Sequence, residues 1–413
     1  MIYVIGAGLA GLSAAVTLAG RGIPVEVMEA AATAGGRCRS YTDPQLGMTI
    51  DNGNHLILSG NLSAFRYLDQ IGSADNFTGP KDAEFAFCEI PSGKRWTVRP
   101  NDGLLPWWIF DPNRRVPDTS PKDYLSFVPL IGSGSKTAAQ LRQRGDVLWR
   151  RMLHPVLLAT LNTEPEQAAP HLITAILLGT LGRGGKACCP RIATPTLSAA
   201  FIDPALRYIR EHGGNVHFGR RVARLSFEGW LASELEFPDR RLPVTRNDAV
   251  IVAVPAWNAK SLVPGVMTPD DHRAIVSTHF GLPPPPEAPV MTGVIGGTAE
   301  WIFCFPDRIS VTISNADRLL ETDREEIARS CWQDVACSLS MGPELPPWQV
   351  IKERRATFAA TPEQDNKRPS AVTAWENLFM AGDWTATGLP ATIEGAIRSG
   401  RRAARLAQRV HPA

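Results

Sequence analysis

The chain has 413 residues, of which 44 % are hydrophobic, and its formal net charge at pH 7 is +2. This length exceeds what one hydrophobic core usually holds, so it predicts two domains or one domain with a large insertion. The small net charge argues against a nucleic-acid partner. The seven cysteines are odd in number and irregularly spaced, which predicts reduced thiols in a cytoplasmic protein rather than a disulfide framework.

Two further classes of protein are excluded by pattern. The sequence has none of the common metal-ligand spacings, such as CxxC or HExxH, and no apolar run of about 18 residues that would span a bilayer. Its first residues, MIYVIGAGLAG, lack a basic segment and predict a strand and a turn rather than a secretory signal. We therefore expect no bound metal and no membrane span.

The N-terminal residues predict a strand, a glycine-rich turn and a helix. Ile2 to Ile5 form a short apolar run, as a buried parallel strand requires. Gly6, Gly8 and Gly11 then give the pattern G-x-G-x-x-G. The first glycine permits a tight turn, the second lets a pyrophosphate approach the backbone, and the third lets the helix pack on the strand. The helix is predicted to bury one face, formed by Leu9, Leu12, Ala15, Leu18 and Ala19.

The unit continues into a second strand, Val25 to Met28, which ends at Glu29. An acid at this position accepts hydrogen bonds from ribose hydroxyls and argues against a 2′-phosphate, so the unit predicts FAD or NAD rather than NADP. Gly35, Gly36 and Arg37 follow shortly afterwards. A glycine pair exposes backbone N–H groups, and an arginine adds positive charge beside a phosphate. Behind a strand–helix–strand unit of this kind, the GGR segment favours FAD.

The C-terminal segment FMAGDWTATGLPATIEGAIRSGRRAA has the same strand–turn–helix character. Leu378 to Ala381 predict a strand and Gly382 a turn, while Thr392, Ile393 and Glu394 predict the start of the last helix. By itself, such a segment closes many kinds of α/β domain.

Taken together, VIGAGLAGLSAA, VMEAAATAGGR and this tail resemble the amine oxidase and phytoene desaturase superfamily of FAD enzymes. In that superfamily the tail returns to complete the FAD-binding domain. The resemblance implies that Asp383 hydrogen-bonds the ribityl or pyrophosphate region of FAD. It also implies that the positive end of the last helix dipole faces the N1–C2=O edge of the flavin.

Two interior segments match the same plan. Gly53, Asn54 and His55 fall where the superfamily runs close to the isoalloxazine, and Val222 falls where its backbone contacts adenine. His55 is a candidate catalytic group, although a lone histidine is more often structural. The implied FAD-binding residues are Gly6, Gly8, Ala10, Gly11, Glu29, Ala30, Gly36, Arg37, Gly53, Asn54, His55, Val222, Gly382, Asp383, Thr392 and Ile393.

FAD is expected to be bound non-covalently. The last cysteine is Cys337, so the tail carries no thiol for a covalent link to the flavin. The last tyrosine is Tyr208, so the tail also lacks the tyrosine with which amine oxidases commonly frame the flavin.

The resemblance implies an α/β fold in which a Rossmann-type FAD-binding domain alternates along the chain with α+β insertions. The FAD-binding domain is predicted at 1–70, 190–256 and 366–413. The substrate-binding domain is predicted at 71–189 and 257–365. Within these segments, DAVIVAVPAW predicts a buried strand ending at Pro255, and DVLWRRMLHPVLLATLN predicts a helix.

Four segments resemble one branch of the superfamily, the squalene-associated FAD enzymes known as hydroxysqualene dehydroxylases. They are LPWWIFDPNRRVPDT, LHPVLLATLNTEPEQA, FIDPALRYIREHGGNVHFGRRVARL and the tail segment GDWTATGLPATIEGAIRSGRRAA, which by itself indicates only the superfamily. This resemblance implies reduction of hydroxysqualene to squalene in bacterial squalene and hopanoid synthesis. The hydroxyl would leave as water, and hydride from N5 of reduced FAD would reach the allylic cation. The acid that assists departure stays open among acidic residues of the insertions, His55 and the flavin itself.

Two alternative functions stay open at this point. One is an oxidative desaturase of a polyisoprenoid such as phytoene, and the other is a non-catalytic, flavin-bearing carrier of isoprenoid lipid. The electron donor of a dehydroxylase is also open, because no second strand–GxGxxG–helix unit occurs. Either NAD(P)H visits the flavin without a domain of its own, or a separate reductase supplies the electrons. Synthases that act earlier in the squalene pathway are candidate partners.

Membrane contact is the last expectation. Trp107 and Trp108 either cap the core or lie in a bilayer interface, where tryptophan is favoured. The arginines of the tail either meet anionic lipid or form a solvated helix face. An apolar C30 substrate favours a cytoplasmic protein that is peripheral on the inner face of the cytoplasmic membrane.

Overall fold

A computed structural model describes residues 1–127 and 146–410. The helices of this part of the chain are α1 Leu9–Ala19, α2 Leu62–Gln70, α3 Asp146–Leu148, α4 His154–Leu161, α5 Pro170–Gly179, α6 Asp203–Glu211, α7 Ala256–Leu262, α8 Arg324–Leu339, α9 Pro362–Asn366 and α10 Ile393–Ala407. Residues 128–145 of the predicted substrate-binding segment lie outside the described residues.

The strands of the same part of the chain are β1 Ile2–Ile5, β2 Val25–Met28, β3 Ser40–Asp43, β4 Met48–Asp51, β5 Leu56–Leu58, β6 Phe77–Thr78, β7 Phe85–Glu89, β8 Lys94–Val98, β9 Pro190–Ala193, β10 Asn215–His217, β11 Arg224–Glu228, β12 Leu231–Glu236, β13 Arg241–Pro243, β14 Ala249–Val252, β15 His272–Phe280, β16 Met291–Ile295, β17 Trp301–Cys304, β18 Ile309–Ile313, β19 Trp348–Phe358 and β20 Leu378–Met380.

A parallel five-stranded sheet forms the first layer, in the order β10-β2-β1-β14-β20. Its strands come from both ends and the middle of the chain. Ile2 of β1 lies opposite both Val25 of β2 and Ala249 of β14, so the N-terminal strand is central. A central parallel strand is covered on both faces, which explains why β1 and β14 are short uninterrupted apolar runs.

Helices α1 and α10 pack closely on this sheet. A Cβ at Gly400 of α10 would collide with the carbonyl oxygen of Ala10 in α1, so only glycine permits this approach. The five residues predicted to share an apolar face of α1 are buried, and so is every other residue of the helix. The burial is complete because α1 contacts α2, α6, α10 and the sheet, which leaves it no solvent-facing side.

A mixed seven-stranded sheet forms the second layer, in the order β19-β15-β18-β17-β16-β7-β8. Side chains alternate between its two faces. One face, which includes Val276 and Ile302, packs on Trp332 of α8. The other face, which includes Trp301 and Phe303, packs on the helices α4 and α5. The second sheet is therefore covered on both sides, like the first.

The helical prediction for DVLWRRMLHPVLLATLN is confirmed, with one refinement. A π-helical turn, Trp149–Leu153, separates α3 from α4. Two predicted strand ends are wrong by a few residues. The strand before Pro255 ends at Val252, because Pro255 already caps α7, and the tail strand ends at Met380. No helix within the described residues is long and apolar enough to cross a membrane.

Candidate functional site

The glycine-rich turn lies at the carboxyl end of β1. Gly6 has a φ of +105°, and a Cβ there would lie 2.6 Å from the carbonyl oxygen of Ala253. A Cβ at Gly11 would collide with the carbonyl oxygen of Gly6. By contrast, a Cβ at Gly8 would meet nothing within 4 Å. The first and third glycines therefore pack the turn, and the second leaves open space over the backbone and the start of α1.

Glu29 is fixed at the end of β2. Its two carboxylate oxygens accept hydrogen bonds from the N–H groups of Ala7 and Ala31, each at 2.7 Å. Its own N–H donates to the carbonyl oxygen of His217 at 2.8 Å. Each carboxylate oxygen keeps a second lone pair. The acid is thus oriented beside the glycine turn and is still able to accept hydrogen bonds from a diol.

Val222 lies close to this acid. Its segment is attached to the end of β2 by two hydrogen bonds, from Gly219 N–H to the carbonyl oxygen of Ala31 and from Arg220 N–H to that of Glu29. The side chain of Val222 is buried with Ile5. Val222, predicted to contact adenine, and Glu29, predicted to bind ribose, therefore lie at one edge of the sheet. Ala30, another predicted FAD-binding residue, directly follows Glu29.

The glycine pair lies against the glycine turn. Gly35 N–H donates to the carbonyl oxygen of Ala7 at 2.8 Å, and Gly35 pairs with Gly8 as an isolated bridge. Gly35 and Gly36 have φ values of +105° and +56°, which glycine adopts readily. A Cβ at Gly36 would lie 3.6 Å from the Cα of Gly8. Two segments that were predicted independently thus border the same open space.

Arg37 and Asp383 form an ion pair of 2.6 Å, which joins the two ends of the chain. Arg37 also donates to the carbonyl oxygen of Ala356 at 2.5 Å. Asp383 is buried, while about two-fifths of the Arg37 side chain is exposed. The sequence analysis placed Arg37 beside a phosphate, and the resemblance placed Asp383 beside the ribityl or pyrophosphate region. Their pairing means that each orients the other.

The segment that follows Asp383 leads into α10. Thr392 caps the helix, its Oγ1 accepting the N–H of Gly395 at 3.1 Å, and Ile393 is the first helical residue. Gly382 N–H donates to Oγ of Ser399 at 2.9 Å, which joins β20 to the helix. Glu394 is turned away from this helix end. Its carboxylate accepts the N–H groups at the start of α2, a role the sequence did not predict.

Residues 51–55 form a loop between β4 and β5 that contacts the second sheet. Asn54 Nδ2 donates to Oγ1 of Thr312 at 3.0 Å, and a Cβ at Gly53 would lie 3.6 Å from Oγ of Ser277. The other amide atom, Asn54 Oδ1, is buried and has no hydrogen-bond partner among residues 1–127 and 146–410. An acceptor left in this state is expected where a ligand with an N–H group binds.

His55 is held as a neutral imidazole. Burial, and to a smaller extent the positive charge of Arg37, lower its pKa to about 4, although Asp383 acts in the opposite direction. The imidazole therefore lies near the ion pair of the two chain ends and carries no charge at neutral pH.

These residues fit a flavin dinucleotide. The open space above Gly8 suits a pyrophosphate, Glu29 is oriented towards a ribose, and Asn54 Oδ1 needs a donor. Among the described residues, a group of possible metal ligands lies elsewhere, on the segment that holds α4. It consists of His154, Glu164 and Glu166, and Glu164 is already paired with His154 at 3.1 Å.

The comparisons agree with this chemistry. The profile of the flavin containing amine oxidoreductase family matches residues 9–407, and the chain belongs to that family. It has the amine oxidase-like α/β fold. Cyclohexylamine oxidase from Brevibacterium oxydans superposes with a TM-score of 0.70 at 15 % identity, over 99 % of this chain and 98 % of the other.

Sequence relatives are much closer. Hydroxysqualene dehydroxylase of Zymomonas mobilis subsp. mobilis is 48 % identical over 98 % of both chains. That of Rhodopseudomonas palustris is 48 % identical over 98 % of this chain and 97 % of its own. The zeta-carotene desaturase of Capsicum annuum is more distant, with 22 % identity over 97 % of this chain and 80 % of its own.

The first prediction concerns Glu29 and Asp383. Glu29→Gln and Asp383→Asn should each weaken FAD binding about tenfold to a hundredfold, because each removes charge-assisted hydrogen bonding to the cofactor. The measurement is the dissociation constant of FAD and the flavin-to-protein ratio after purification. Glu26→Gln is the matched control, since Glu26 lies on the same strand and pairs instead with His217. Wild-type FAD affinity in both test variants would contradict this placement of the site.

The second prediction concerns pH. Because the pKa of His55 in the folded protein, about 4, lies below the ordinary value near 6.5, the unfolded chain binds the proton first. The stability contributed by neutral His55 is therefore present above pH 6.5 and is lost as the pH falls towards 4. His55→Gln should flatten the fall in the free energy of unfolding across this window.

Urea unfolding at fixed, saturating FAD measures this effect. His212→Gln is the control, because His212 is exposed and stacks on Tyr208 with ring centroids 3.9 Å apart. If His55→Gln and His212→Gln lose stability with falling pH in parallel with the wild type, the neutral imidazole is not maintained by burial.

Proposed function

We propose that this flavin-dependent oxidoreductase converts hydroxysqualene to squalene, as a step of bacterial squalene and hopanoid synthesis. The observation that carries the proposal is 48 % identity, over nearly the whole chain, to proteins named hydroxysqualene dehydroxylase. The match covers 98 % of this chain, so it extends over the predicted FAD segments and the insertions alike.

The chemistry balances with one proton and one hydride. Bound in its reduced form, FAD would supply a hydride from N5 to the allylic carbon. The C–O bond of the substrate would break, a proton would join the departing hydroxyl, and water would leave. The carbon would gain a C–H bond and be reduced by the two electrons of that hydride.

The chain contributes binding, orientation and the exclusion of water. We propose that segments 1–70, 190–256 and 366–413 form the FAD-binding domain, supported by the strands they supply to the parallel sheet. Segments 71–189 and 257–365 would bind the substrate. There, a packed apolar layer between the second sheet and α4–α5 includes Trp149, Leu157, Trp301 and Phe303. Apolar side chains of this kind are the type expected to border a site for a C30 chain.

His55 is proposed as a neutral polar group beside the flavin rather than as the acid. A group with a pKa of about 4 is almost fully deprotonated at neutral pH and has no proton to give. Its remaining N–H is still able to donate a hydrogen bond, which orients a ring or a hydroxyl.

The electrons are proposed to come from NAD(P)H or from a separate reductase. The sequence has a single strand–GxGxxG–helix unit, which is proposed here to bind FAD through Glu29 and Val222. A donor therefore reaches the flavin without a dinucleotide-binding domain of its own on this chain.

The third prediction is an anaerobic single-turnover experiment. The flavin of the purified holoprotein is reduced chemically and hydroxysqualene is added without oxygen. We expect the absorbance of oxidised flavin to return with one squalene formed per flavin, because the reaction consumes the reduced cofactor. Flavin absorbance and extracted squalene are measured together, and squalene itself is the unreactive control.

Other outcomes identify the alternatives. If the flavin stays reduced and squalene is absent, the dehydroxylase proposal fails. Oxidised enzyme is then tested with a polyene such as phytoene, for which the zeta-carotene desaturase similarity is the rationale. Flavin that reacts with neither substrate would indicate a lipid carrier.

We further propose that the protein contacts the inner face of the cytoplasmic membrane through one surface. Four neighbouring apolar side chains, here called the apolar loop patch, are more than half exposed. They are Leu104, Leu105, Trp107 and Phe110. The Trp107 and Phe110 rings lie 6.1 Å apart, whereas Trp108 is buried against Tyr124. Trp108 thus caps the core, as one interpretation of the pair predicted, and Trp107 is left exposed for the proposed contact with a bilayer.

Basic groups surround this patch. Gly185 N–H donates to the carbonyl oxygen of Asn101, which brings the exposed side chains of Arg183 and Lys186 next to the loop. Interfacial tryptophan and neighbouring cations suit a bilayer that contains anionic lipid.

The fourth prediction tests this surface. Trp107→Ser combined with Phe110→Ser should reduce co-flotation of the holoprotein with vesicles of phosphatidylglycerol and phosphatidylcholine at least about tenfold, since each aromatic ring buries apolar area in the interface. Trp230→Ser is the control, because Trp230 is equally exposed but lies between β11 and β12. Equal binding by the double variant and the control would refute the patch as the contact.

A further inference from the structure

Asp51, the last residue of β4, forms a buried ion pair directly before the loop of residues 52–55. Its Oδ2 lies 3.3 Å from Nη2 of Arg308, and both side chains are 2 % exposed. Its Oδ1 accepts Oγ of Ser40 at 2.6 Å and the N–H of Leu197 at 2.9 Å. Burial raises the pKa of Asp51, and these hydrogen bonds together with Arg308 oppose the rise. Asp51 therefore holds the loop from three directions.

Arg308 is correspondingly constrained from the other side. It lies in the turn between β17 and β18, where its Nη1 donates to Asp307 at 3.0 Å and its Nη2 to the carbonyl oxygen of Pro195 at 3.4 Å. Its guanidinium lies 3.9 Å from the centroid of the Phe305 ring. A planar guanidinium held in this way has little freedom to follow a displaced loop.

Two further side chains of the loop reach the same sheet. Asn52 Nδ2 donates to Glu353 of β19 at 3.2 Å, and Asn54 Nδ2 donates to Thr312 of β18 at 3.0 Å. The loop follows β4, which is not a strand of the parallel sheet. Its polar side chains donate hydrogen bonds to strands of the second sheet. It is thus attached at three points to the layer that faces the proposed substrate.

A buried ion pair is a poor way to gain stability, because desolvation of the two charges offsets most of their attraction. Its geometric consequence is greater, since a single orientation allows all the contacts of the Asp51 carboxylate and of the two Arg308 Nη atoms, although Arg308 Nε is buried without a partner among the described residues. The pair lies directly before the three residues assigned to the isoalloxazine. Position, rather than stability, is what such a pair supplies here.

We propose that Arg308 and Asp51 are positioning residues that fix residues 52–55 against the second sheet and so set the place of the flavin ring relative to the substrate. The inference rests on the proposed flavin site and goes beyond it, because Arg308 lies in the substrate-binding segment and touches none of the residues assigned to FAD. The second sheet then determines flavin geometry through this pair.

The fifth prediction compares two substitutions in the holoprotein. Arg308→Met should weaken FAD binding about tenfold or more and change the visible circular dichroism of the bound flavin, because Asp51 loses its cation and the loop is released. Arg308→Lys keeps a charge within reach of Asp51 and should restore most of the affinity and the wild-type dichroism. Both readouts need no substrate.

Arg151→Met is the matched control. Arg151 is also a buried arginine, paired with Glu89 at 2.9 Å and placed over the ring of Trp96, but it lies far along the sheet on the α3–α4 segment. Its loss should lower the midpoint of thermal unfolding and leave flavin affinity and dichroism as in the wild type. Identical flavin changes in Arg151→Met would overturn the proposal, since the effect would then be one of general stability.

Poor folding of Arg308→Met does not end the test, because Asp51→Asn with Arg308→Met removes both buried charges at once. This double variant should regain thermal stability and still show weakened, spectrally altered flavin. If it regains wild-type flavin affinity and dichroism as well, the pair is structural only and the proposal is wrong. If the wild-type holoprotein forms no squalene while Arg308→Met shows the expected loss of flavin affinity and change in dichroism, only the proposed function fails.

Discussion

The structure depends on the closure of a parallel sheet by the two ends of the chain. The N-terminal strand β1 is flanked by β2 and β14, and β14 in turn needs the tail strand β20 as its outer neighbour. Parallel neighbours cannot be joined by a tight turn, so long crossovers are required. The crossovers of this chain are long enough to contain a second sheet and its helices. The discontinuous order of segments follows from that requirement.

The proposed flavin site is a consequence of the same closure. Carboxyl ends of parallel strands meet at one edge, where the glycine turn, Glu29 and the tail converge. The ion pair between Arg37 and Asp383 forms only when the tail strand is in place, and in the proposed site both residues lie beside the cofactor. Asp51 at the end of β4 pairs with Arg308 of the second sheet, directly before the loop of residues 52–55. Under the proposed assignment of residues 53–55 to the flavin, the second sheet contributes to the binding of the cofactor.

Much of the first layer was predictable because its signals are local. The bounds of β1, α1 and β2 follow from an apolar run, three glycines and an acid, and Thr392 marks the start of α10 by capping it. The predictions were incomplete where several elements share a surface. A helix buried on every side has the same composition as one with a wide apolar face, and the exposure of Trp107 beside the burial of Trp108 depends on what packs against the loop.

The sequence by itself predicted the dinucleotide-binding unit, because its strand, glycines and acid stand at short, fixed spacings. The return of the tail and the similarity to one enzyme branch came instead from resemblance to a known superfamily. Tertiary structure alone decided the pairing of Arg37 with Asp383, the diversion of Glu394 to the start of α2, and the contact of Asp51 with Arg308. Each of these joins positions hundreds of residues apart. Their partners are chosen by the geometry of packed layers, and a charge in a sequence carries no mark of which distant opposite charge will share its burial.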